Sequence, residues 1–116
     1  MAHIAAINLE CADPLALARF RAGLLDGDIV AETPGFCAVK AGPVHLGAVR
    51  VDDHRPPTWP SAERSQQLHL DIAVEDLDTT EREAIRLGAT KEARQPGPER
   101  FRVFRDPAGH PFCLRA

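Results

Sequence analysis

The sequence contains an internal repeat, and this repeat limits the possible fold more than any other feature. The stretch AINLECAD, residues 6–13, aligns with HLDIAVED, residues 69–76, at an offset of 63 residues. In both copies apolar residues alternate with small or polar ones, as expected of a strand that buries one face. Each copy ends at an aspartate that precedes a helical pattern. The repeat therefore predicts two structural units of the same kind.

A helix is predicted directly after each copy of the repeat. Asp13 followed by Pro14 is typical of a helix start, because aspartate caps free backbone N–H groups and proline suits the first turn. Apolar residues then recur at helical spacing from Leu17 up to Gly27. Asp76 occupies the same position before the second helix, and Gly88 is a plausible C-terminal cap. Both halves are thus predicted to run from a strand into a helix.

Short apolar alternations between glycine and proline turns predict three further strands in each half. They span residues 28–33, 36–41, 44–51, 90–95, 101–105 and 112–115. The segment DPAG, residues 106–109, is a turn pattern that closes the last hairpin, because proline presets φ and glycine accepts a positive φ. The predicted fold class is α+β, built from two βαβββ modules.

The segment DDHRPPTWPSAERSQQ, residues 52–67, is rich in proline and polar residues and cannot continue a sheet. We therefore predict one domain of 116 residues with module one at 1–51, a linker at 52–67 and module two at 68–116. Trp59, the single tryptophan, lies in the linker. It is expected either to fill the seam between the modules or to form an aromatic wall of a ligand cleft.

Composition excludes several classes of partner. With 14 basic and 17 acidic residues the net charge is −3, which argues against nucleic acid and anionic membranes. Cys11, Cys37 and Cys113 lie within apolar runs, and their odd number favours free thiols in a reducing compartment. The sequence starts without a basic, apolar leader and contains no long apolar run. We therefore expect a soluble, cytoplasmic protein.

The strand HLDIAVEDLD, the helix end LGA and the final FRVFRDPAGHPFCL together resemble the vicinal oxygen chelate superfamily. This superfamily includes glyoxalases, bleomycin-resistance proteins and extradiol dioxygenases. The segments PPTWP and QQLHLDIAV further resemble its small bacterial glyoxalase-like proteins. The resemblance implies mixed sheets that curl into a cup and a chain that forms a homodimer.

The resemblance also indicates where a metal ion would lie. In the superfamily a divalent metal is typically held by His or Glu on the first and last strands of the modules. The matching positions here are Ala6 and His69 on the first strands and Val49 and Cys113 on the last strands. Only His69 is a usual ligand type, and a Cys113 thiolate is softer than the carboxylate it would replace. We therefore predict that the site binds no metal and that the protein uses no other cofactor.

Strand alternation places His69 and Asp71 on one face and sends Cys113 away from the buried face of the last strand. These three residues are predicted to face one cavity. His69 and Asp71 are the candidate catalytic residues, and His69, Cys113, His45 and Trp59 are the candidate ligand-binding residues. The alternatives are that His69 is hydrogen-bonded inside the sheet and that Cys113 is a small buried apolar residue.

Three functions are consistent with these residues. The first, favoured by the incomplete chelate, is binding of a small organic molecule in a cup widened by small residues (Ala6, Gly47, Ala73). The second is a metal-dependent lyase, isomerase or dioxygenase acting on a small dicarbonyl, epoxide or catechol through His69, Cys113 and water or a partner-chain residue. The third is metal-free acid–base catalysis by His69 with Asp71 orienting the imidazole.

Overall fold

The computed structural model describes residues 1–116 and is an α+β protein with two four-stranded mixed sheets and two helices. It divides into two compact units, Met1–Arg55 (unit 1) and Pro56–Ala116 (unit 2). Both sheets are open. No helix has the length and apolar character needed to span a membrane.

Unit 1 contains one helix and the first sheet. The elements are β1 (Ile7–Cys11), α1 (Pro14–Leu25), β2 (Asp28–Thr33), β3 (Phe36–Ala41) and β4 (Val44–Arg50). The strand order is β1-β4-β3-β2, with β1 parallel to β4 and the other neighbours antiparallel. Strands β2 and β3 have the predicted bounds, because turns on either side of β3 end both alternations where the sequence indicates.

Helix α1 begins as predicted and ends one residue earlier. The Asp13 side chain accepts a hydrogen bond from the Ala16 N–H, and Pro14 occupies the first turn. At the other end Asp26, rather than Gly27, adopts the left-handed conformation, with φ of 52°. Aspartate tolerates this region better than most side chains do. The helix packs its buried face on β2, β3 and β4.

Unit 2 repeats the same order of elements. They are β5 (Leu70–Ala73), α2 (Leu77–Leu87), β6 (Thr90–Lys91), β7 (Phe101–Arg105) and β8 (Pro111–Arg115). The strand order β5-β8-β7-β6, with β5 parallel to β8, is equivalent to that of unit 1. The prediction of two βαβββ modules is confirmed.

Strand β6 is much shorter than the predicted 90–95. The Gln95 side chain takes over the hydrogen bonds that a longer strand would make with β7. Its Nε2 donates to the Val103 carbonyl at 2.8 Å, and its Oε1 accepts from the Val103 N–H at 2.9 Å. The Glu92 backbone N–H also donates to the Val103 carbonyl, at 3.0 Å. Beyond Glu92 the Gln95 side chain makes the bonds to β7, which a periodic pattern does not reveal.

The hairpin before β8 has the predicted turn. Asp106 Oδ1 accepts hydrogen bonds from the N–H groups of Ala108 and His110, and Gly109 has a φ of +88°. His110, predicted to be exposed, is partly buried in this turn. The hairpin places β8 in the centre of the second sheet, between β5 and β7.

The two faces of β8 differ, as its alternation predicts. Phe112 and Leu114 are buried, whereas Cys113 between them is only partly buried. Phe104 of β7 lies on the buried face and stacks on Phe112, with ring centroids 5.6 Å apart. Helix α2 packs on β8. The register of the last strand, on which the site prediction depends, is therefore confirmed.

Candidate functional site

The open face of the second sheet brings two of the predicted site residues together. Asp71 on β5 is in register with Cys113 on β8, and Cys113 is in register with Val103 on β7. Residues in register on neighbouring strands point to the same face, so these three side chains form one row across the sheet. Asp71 and Cys113 are the polar members of this row.

His69 completes a cluster with these two residues. It lies one residue before β5 and two residues before Asp71, so both side chains project to the same side. The His69 Nε2 atom is 3.2 Å from Asp71 Oδ1. The ligand atoms of His69, Asp71 and Cys113 all lie within 4.8 Å of one another. Arg115 Nη1 approaches the other carboxylate oxygen, Asp71 Oδ2, at 3.8 Å.

The Cys113 thiol is held in its protonated form. Its partial burial raises its pKa, and the neighbouring Asp71 carboxylate raises it further through its negative charge and by accepting a hydrogen bond from the thiol. Arg115 opposes this effect with its positive charge. The thiol is therefore a hydrogen-bond donor in this cluster at neutral pH rather than a free nucleophile.

We expect the alkylation of Cys113 to require a higher pH than that of an ordinary thiol, because only the thiolate reacts. Asp71→Asn removes the adjacent negative charge, which lowers the thiol pKa and shifts the rate profile to lower pH. The rate of iodoacetamide labelling against pH, followed by mass spectrometry in chelator-treated protein, measures both. Cys11 and Cys37 are fully buried and leave Cys113 as the accessible thiol. An unchanged profile in Asp71→Asn would contradict this account.

A pocket of about 460 Å³ opens beside the cluster, within the size range of small-molecule sites. Its polar lining consists of the cluster, Arg115 and Gln66. Apolar and aromatic side chains form the remaining walls: Trp59, Pro96, Phe101, Val103, Pro111 and Phe112. The backbone carbonyl of Trp59 accepts a hydrogen bond from Arg105 Nη2 at 3.3 Å. Trp59 is therefore part of a pocket wall, as one of its two predicted roles requires.

Gln66 is a site residue that the sequence analysis did not identify. Its Oε1 atom is buried and has no hydrogen-bond partner, although the residue lines the pocket. A buried acceptor without a partner is uncommon in native structures, since it loses its water without compensation. Its position in an irregular segment gives no periodic signal. The polar segment SAERSQQ that follows PPTWP is the only sequence feature that could have indicated Gln66 as a site residue.

His45 is on β4 in unit 1, opposite Lys40 of β3. Its role in ligand binding stays a prediction. Among the small residues expected to widen the cavity, Ala73 belongs to unit 2 and does not line this pocket. Ala6 and Gly47 belong to unit 1. The space beside Gly47 is already filled, because a Cβ atom there would lie 2.0 Å from Asn8 Oδ1. Proline and aromatic side chains form most of the apolar surface that encloses the pocket.

Comparison with known proteins identifies the family. The family model of the glyoxalase-like domain matches residues 6–115. The chain belongs to this family. A comparison with curated proteins gave no match.

Several solved structures share the glyoxalase-like fold. Fosfomycin resistance protein FosX from Mesorhizobium loti is 19% identical with a TM-score of 0.71, and the match covers 99% of this chain and 91% of that chain. A glyoxalase family protein from Enterococcus faecalis is 17% identical with a TM-score of 0.73, covering 100% and 98%. A FosX mutant from Listeria monocytogenes, complexed with Mn(II) and 1S,2S-dihydroxypropylphosphonic acid, is 16% identical with a TM-score of 0.74, covering 100% and 90%. At these identities the likeness shows the fold alone.

The glyoxalase-like family implies a metal held by both modules, and the residues here do not fit that arrangement. Ala6 lies just before β1 and Val49 lies on β4, and neither side chain has a donor atom. Within unit 2, in contrast, His69, Asp71 and Cys113 offer a nitrogen, an oxygen and a sulfur atom. The donors present therefore belong to one module and differ in chemistry from the His and Glu set of the superfamily.

Proposed function

We propose that this glyoxalase-like protein binds a small, flat organic molecule that carries hydrogen-bond donors. The observation that carries the proposal is the unit 2 pocket, which has aromatic and proline walls and is also lined by Gln66, whose Oε1 atom is buried without a hydrogen-bond partner. Flat apolar walls favour a ring, because they remove its faces from water. A donor on the ring would satisfy Gln66 Oε1, and this binding would restore a hydrogen bond that the free protein lacks.

The acceptors in the pocket discriminate among the three substrate types that the superfamily suggests. Dicarbonyl and epoxide groups offer only acceptors, so they cannot satisfy Gln66 Oε1 or the Asp71 carboxylate. A catechol offers two hydroxyl donors on a flat ring and suits both oxygen atoms. Arg115 remains as a donor toward oxygen atoms of the ligand. A catechol-like diol is therefore the preferred ligand class.

A matched pair of probes tests this proposal. Catechol and veratrole, its dimethyl ether, share the ring but only catechol has donors. Titration calorimetry without oxygen and with a chelator present is expected to detect catechol binding and at least about a tenfold weaker interaction with veratrole, equivalent to one lost hydrogen bond. Equal affinity for both probes, or no binding of either, would contradict the proposal.

The Gln66→Leu variant separates binding from stability. It removes the acceptor but keeps a side chain of similar size, so catechol binding is expected to weaken while the free protein stays at least as stable as before. Gln67→Leu is the matched control, because Gln67 is the exposed neighbour and does not line the pocket. Thermal melts of the free variants provide the stability measurement. Unchanged catechol affinity in Gln66→Leu would remove Gln66 from the site.

A second candidate function is metal-free acid–base catalysis, and the contact between His69 and Asp71 favours it. His69 Nε2 lies 3.2 Å from Asp71 Oδ1. When the Nε2–H group donates a hydrogen bond to this oxygen, the neutral imidazole has its lone pair on Nδ1. That nitrogen could then take a proton from a bound molecule. Catalysis requires that the bound molecule be chemically converted to a product, whereas the binding function leaves it unchanged.

The assembly stays a prediction. A homodimer rests on the family resemblance alone, and the structure describes one chain. The expectation that nucleic acids and membranes are not partners rests on the net charge of −3. Light scattering of the purified protein at micromolar concentrations measures whether it is a homodimer.

A further inference from the structure

Trp59 forms one wall of the unit 2 pocket, and a single charged side chain holds its backbone. Arg105 Nη2 donates to the Trp59 carbonyl at 3.3 Å, and this is the only hydrogen bond that Trp59 makes. Arg105 Nε in turn donates to Glu92 Oε1 in an ion pair. We infer that Arg105 and Glu92 are positioning residues, which fix the Trp59 wall and thereby the width of the pocket without contacting the bound molecule. This inference rests on the proposed ligand-binding function and adds two residues to it.

Arg105 lies on the pocket face of the sheet but outside the pocket. Side chains alternate along β7, so Arg105 shares a face with Phe101 and Val103, which both line the pocket. It is in register with Pro111 of β8, another lining residue, yet it does not line the pocket itself. Its guanidinium bonds the Trp59 carbonyl instead. Arg105 can therefore influence a bound molecule only through the wall that it holds.

The ion pair with Glu92 fixes the direction of the Arg105 guanidinium. The side chains of Arg105 and Glu92 are 28% and 12% exposed, so water screens this pair less than it screens a surface pair. Glu92 is itself anchored on β7, because its backbone N–H donates to the Val103 carbonyl at 3.0 Å. A guanidinium is a planar fork whose donors point in fixed directions, whereas an ammonium group is a single point charge. The Trp59 carbonyl is thus bound to a rigid group of the sheet.

The segment that carries Trp59, residues 56–64, is joined to the sheet by this one hydrogen bond. Its other hydrogen bonds close the segment on itself. The Thr58 N–H donates to the Arg64 carbonyl at 2.7 Å, and Arg64 Nε donates to the Pro56 carbonyl at 3.0 Å. Pro56 also packs on the turn before β8, since a Cβ atom on Gly109 would lie 2.6 Å from Pro56 Cβ. Loss of the bond to the sheet is therefore expected to displace the Trp59 ring without unfolding the segment.

Fluorescence provides the first test, because Trp59 is the single tryptophan and the chain contains no tyrosine. The variant is Arg105→Lys, which keeps the positive charge next to Glu92 but loses the fork that reaches the Trp59 carbonyl. We expect the Trp59 emission of the free variant to shift to longer wavelength, and acrylamide to quench it more strongly than in the wild type. Arg94→Lys is the matched control, because Arg94 is exposed two residues after Glu92 and does not line the pocket.

Catechol titration of the same variants tests whether Arg105 acts through the Trp59 wall. Arg105→Lys is expected to bind catechol at least about threefold more weakly, since a displaced ring gives up part of its contact with the ligand. Trp59→Leu removes the ring, so Arg105→Lys in that background is expected to cause no further loss. Circular dichroism and thermal melts verify that each variant is folded.

Three results would overturn the inference. They are unchanged emission and affinity in folded Arg105→Lys, losses of affinity that add in the double variant, and an equal effect of Arg94→Lys. If Arg105→Lys does not fold, Glu92→Gln decides, because it keeps the arginine and removes only the charge that directs it. The same red shift and weaker catechol binding are then expected, and unchanged emission would contradict the inference.

The proposed function is tested separately, by the catechol titration of the wild type. A wild type that binds no catechol refutes the ligand proposal, whereas the emission of the free variants still measures whether Arg105 fixes Trp59. Conversely, catechol binding that is equal in the wild type and in Arg105→Lys leaves the ligand proposal intact and refutes the positioning role.

Discussion

Phe104→Ala is expected to lower the free energy of unfolding by about 3–5 kcal/mol. The Phe104 side chain is fully buried and stacks on Phe112, with ring centroids 5.6 Å apart. Its loss removes buried apolar surface and an aromatic contact, and it leaves a cavity on the buried face of the second sheet. Since whole domains are stabilised by only about 5–15 kcal/mol, this loss approaches the stability of the protein. Urea unfolding followed by circular dichroism measures it.

Phe101→Ala is the matched control for this prediction. Phe101 is the same residue type on the same strand, but it lies on the pocket face and is only partly buried. Its removal is expected to cost clearly less than removal of Phe104. Cys113→Ser, also on the pocket face, is expected to change stability little. Equal losses for Phe101→Ala and Phe104→Ala would mean that both faces of the sheet are packed to the same degree.

The difference between the two faces of β8 could be predicted from the sequence, because successive side chains of a strand point to opposite faces of the sheet. The alternation PFCLR assigns Phe112 and Leu114 to one face and Cys113 to the other, and turn residues fix where each strand ends. On the neighbouring strand the alternation indicated Phe101 and Val103 as the buried face, whereas the structure pairs Phe104 with Phe112 and Val103 with Cys113. The pattern failed beyond Glu92, whose backbone N–H still bonds to β7, because there the Gln95 side chain makes the hydrogen bonds of a strand. A periodic pattern predicts which face of a strand is apolar, but it does not predict which atoms make the hydrogen bonds to the neighbouring strand.

For the candidate site, too, the sequence predicted which residues share a face of the sheet but not which contacts they make. Strand alternation places His69, Asp71 and Cys113 on one face, and the structure confirms that they converge. The 3.2 Å contact of His69 with Asp71 depends on side-chain rotamers, which a pattern does not specify. Gln66 and Trp59 enter the pocket from an irregular segment whose path is set by tertiary packing. A prediction from residue types therefore found the cluster but missed the buried acceptor beside it.

The cluster of His69, Asp71 and Cys113 and the pocket beside it are formed by residues of the same module. Loss of donors at Ala6 and Val49 removes the two-module chelate that the superfamily typically uses. The donors that remain are gathered on adjacent strands of one module, and the pocket is lined by that same module. The proposed ligand site therefore consists of unit 2 residues.

Arg21→Ala is expected to have the largest effect of any single change of a charged residue, and it lies in unit 1. Arg21 on α1 is only 3% exposed, and its Nη1 donates a hydrogen bond to the Gly47 carbonyl on β4 at 3.1 Å. Hydrogen bonds from charged groups contribute about 1.5–3 kcal/mol, and the alanine also removes the packed stem of the side chain. The combined loss should therefore exceed that range. Urea unfolding measures it as a decrease in the transition midpoint.

Two further substitutions separate the contribution of the charge from that of the stem. Arg21→Met keeps an apolar stem of similar length but cannot donate to Gly47, so its stability is expected to fall between those of the wild type and Arg21→Ala. Arg19→Ala, on the exposed side of the same helix, controls for the change in charge and helix propensity and is expected to cost little. If Arg21→Met is as stable as the wild type, the bond to Gly47 makes no net contribution and the stem alone stabilises unit 1. A loss in Arg19→Ala equal to that in Arg21→Ala would assign the effect to charge rather than to burial.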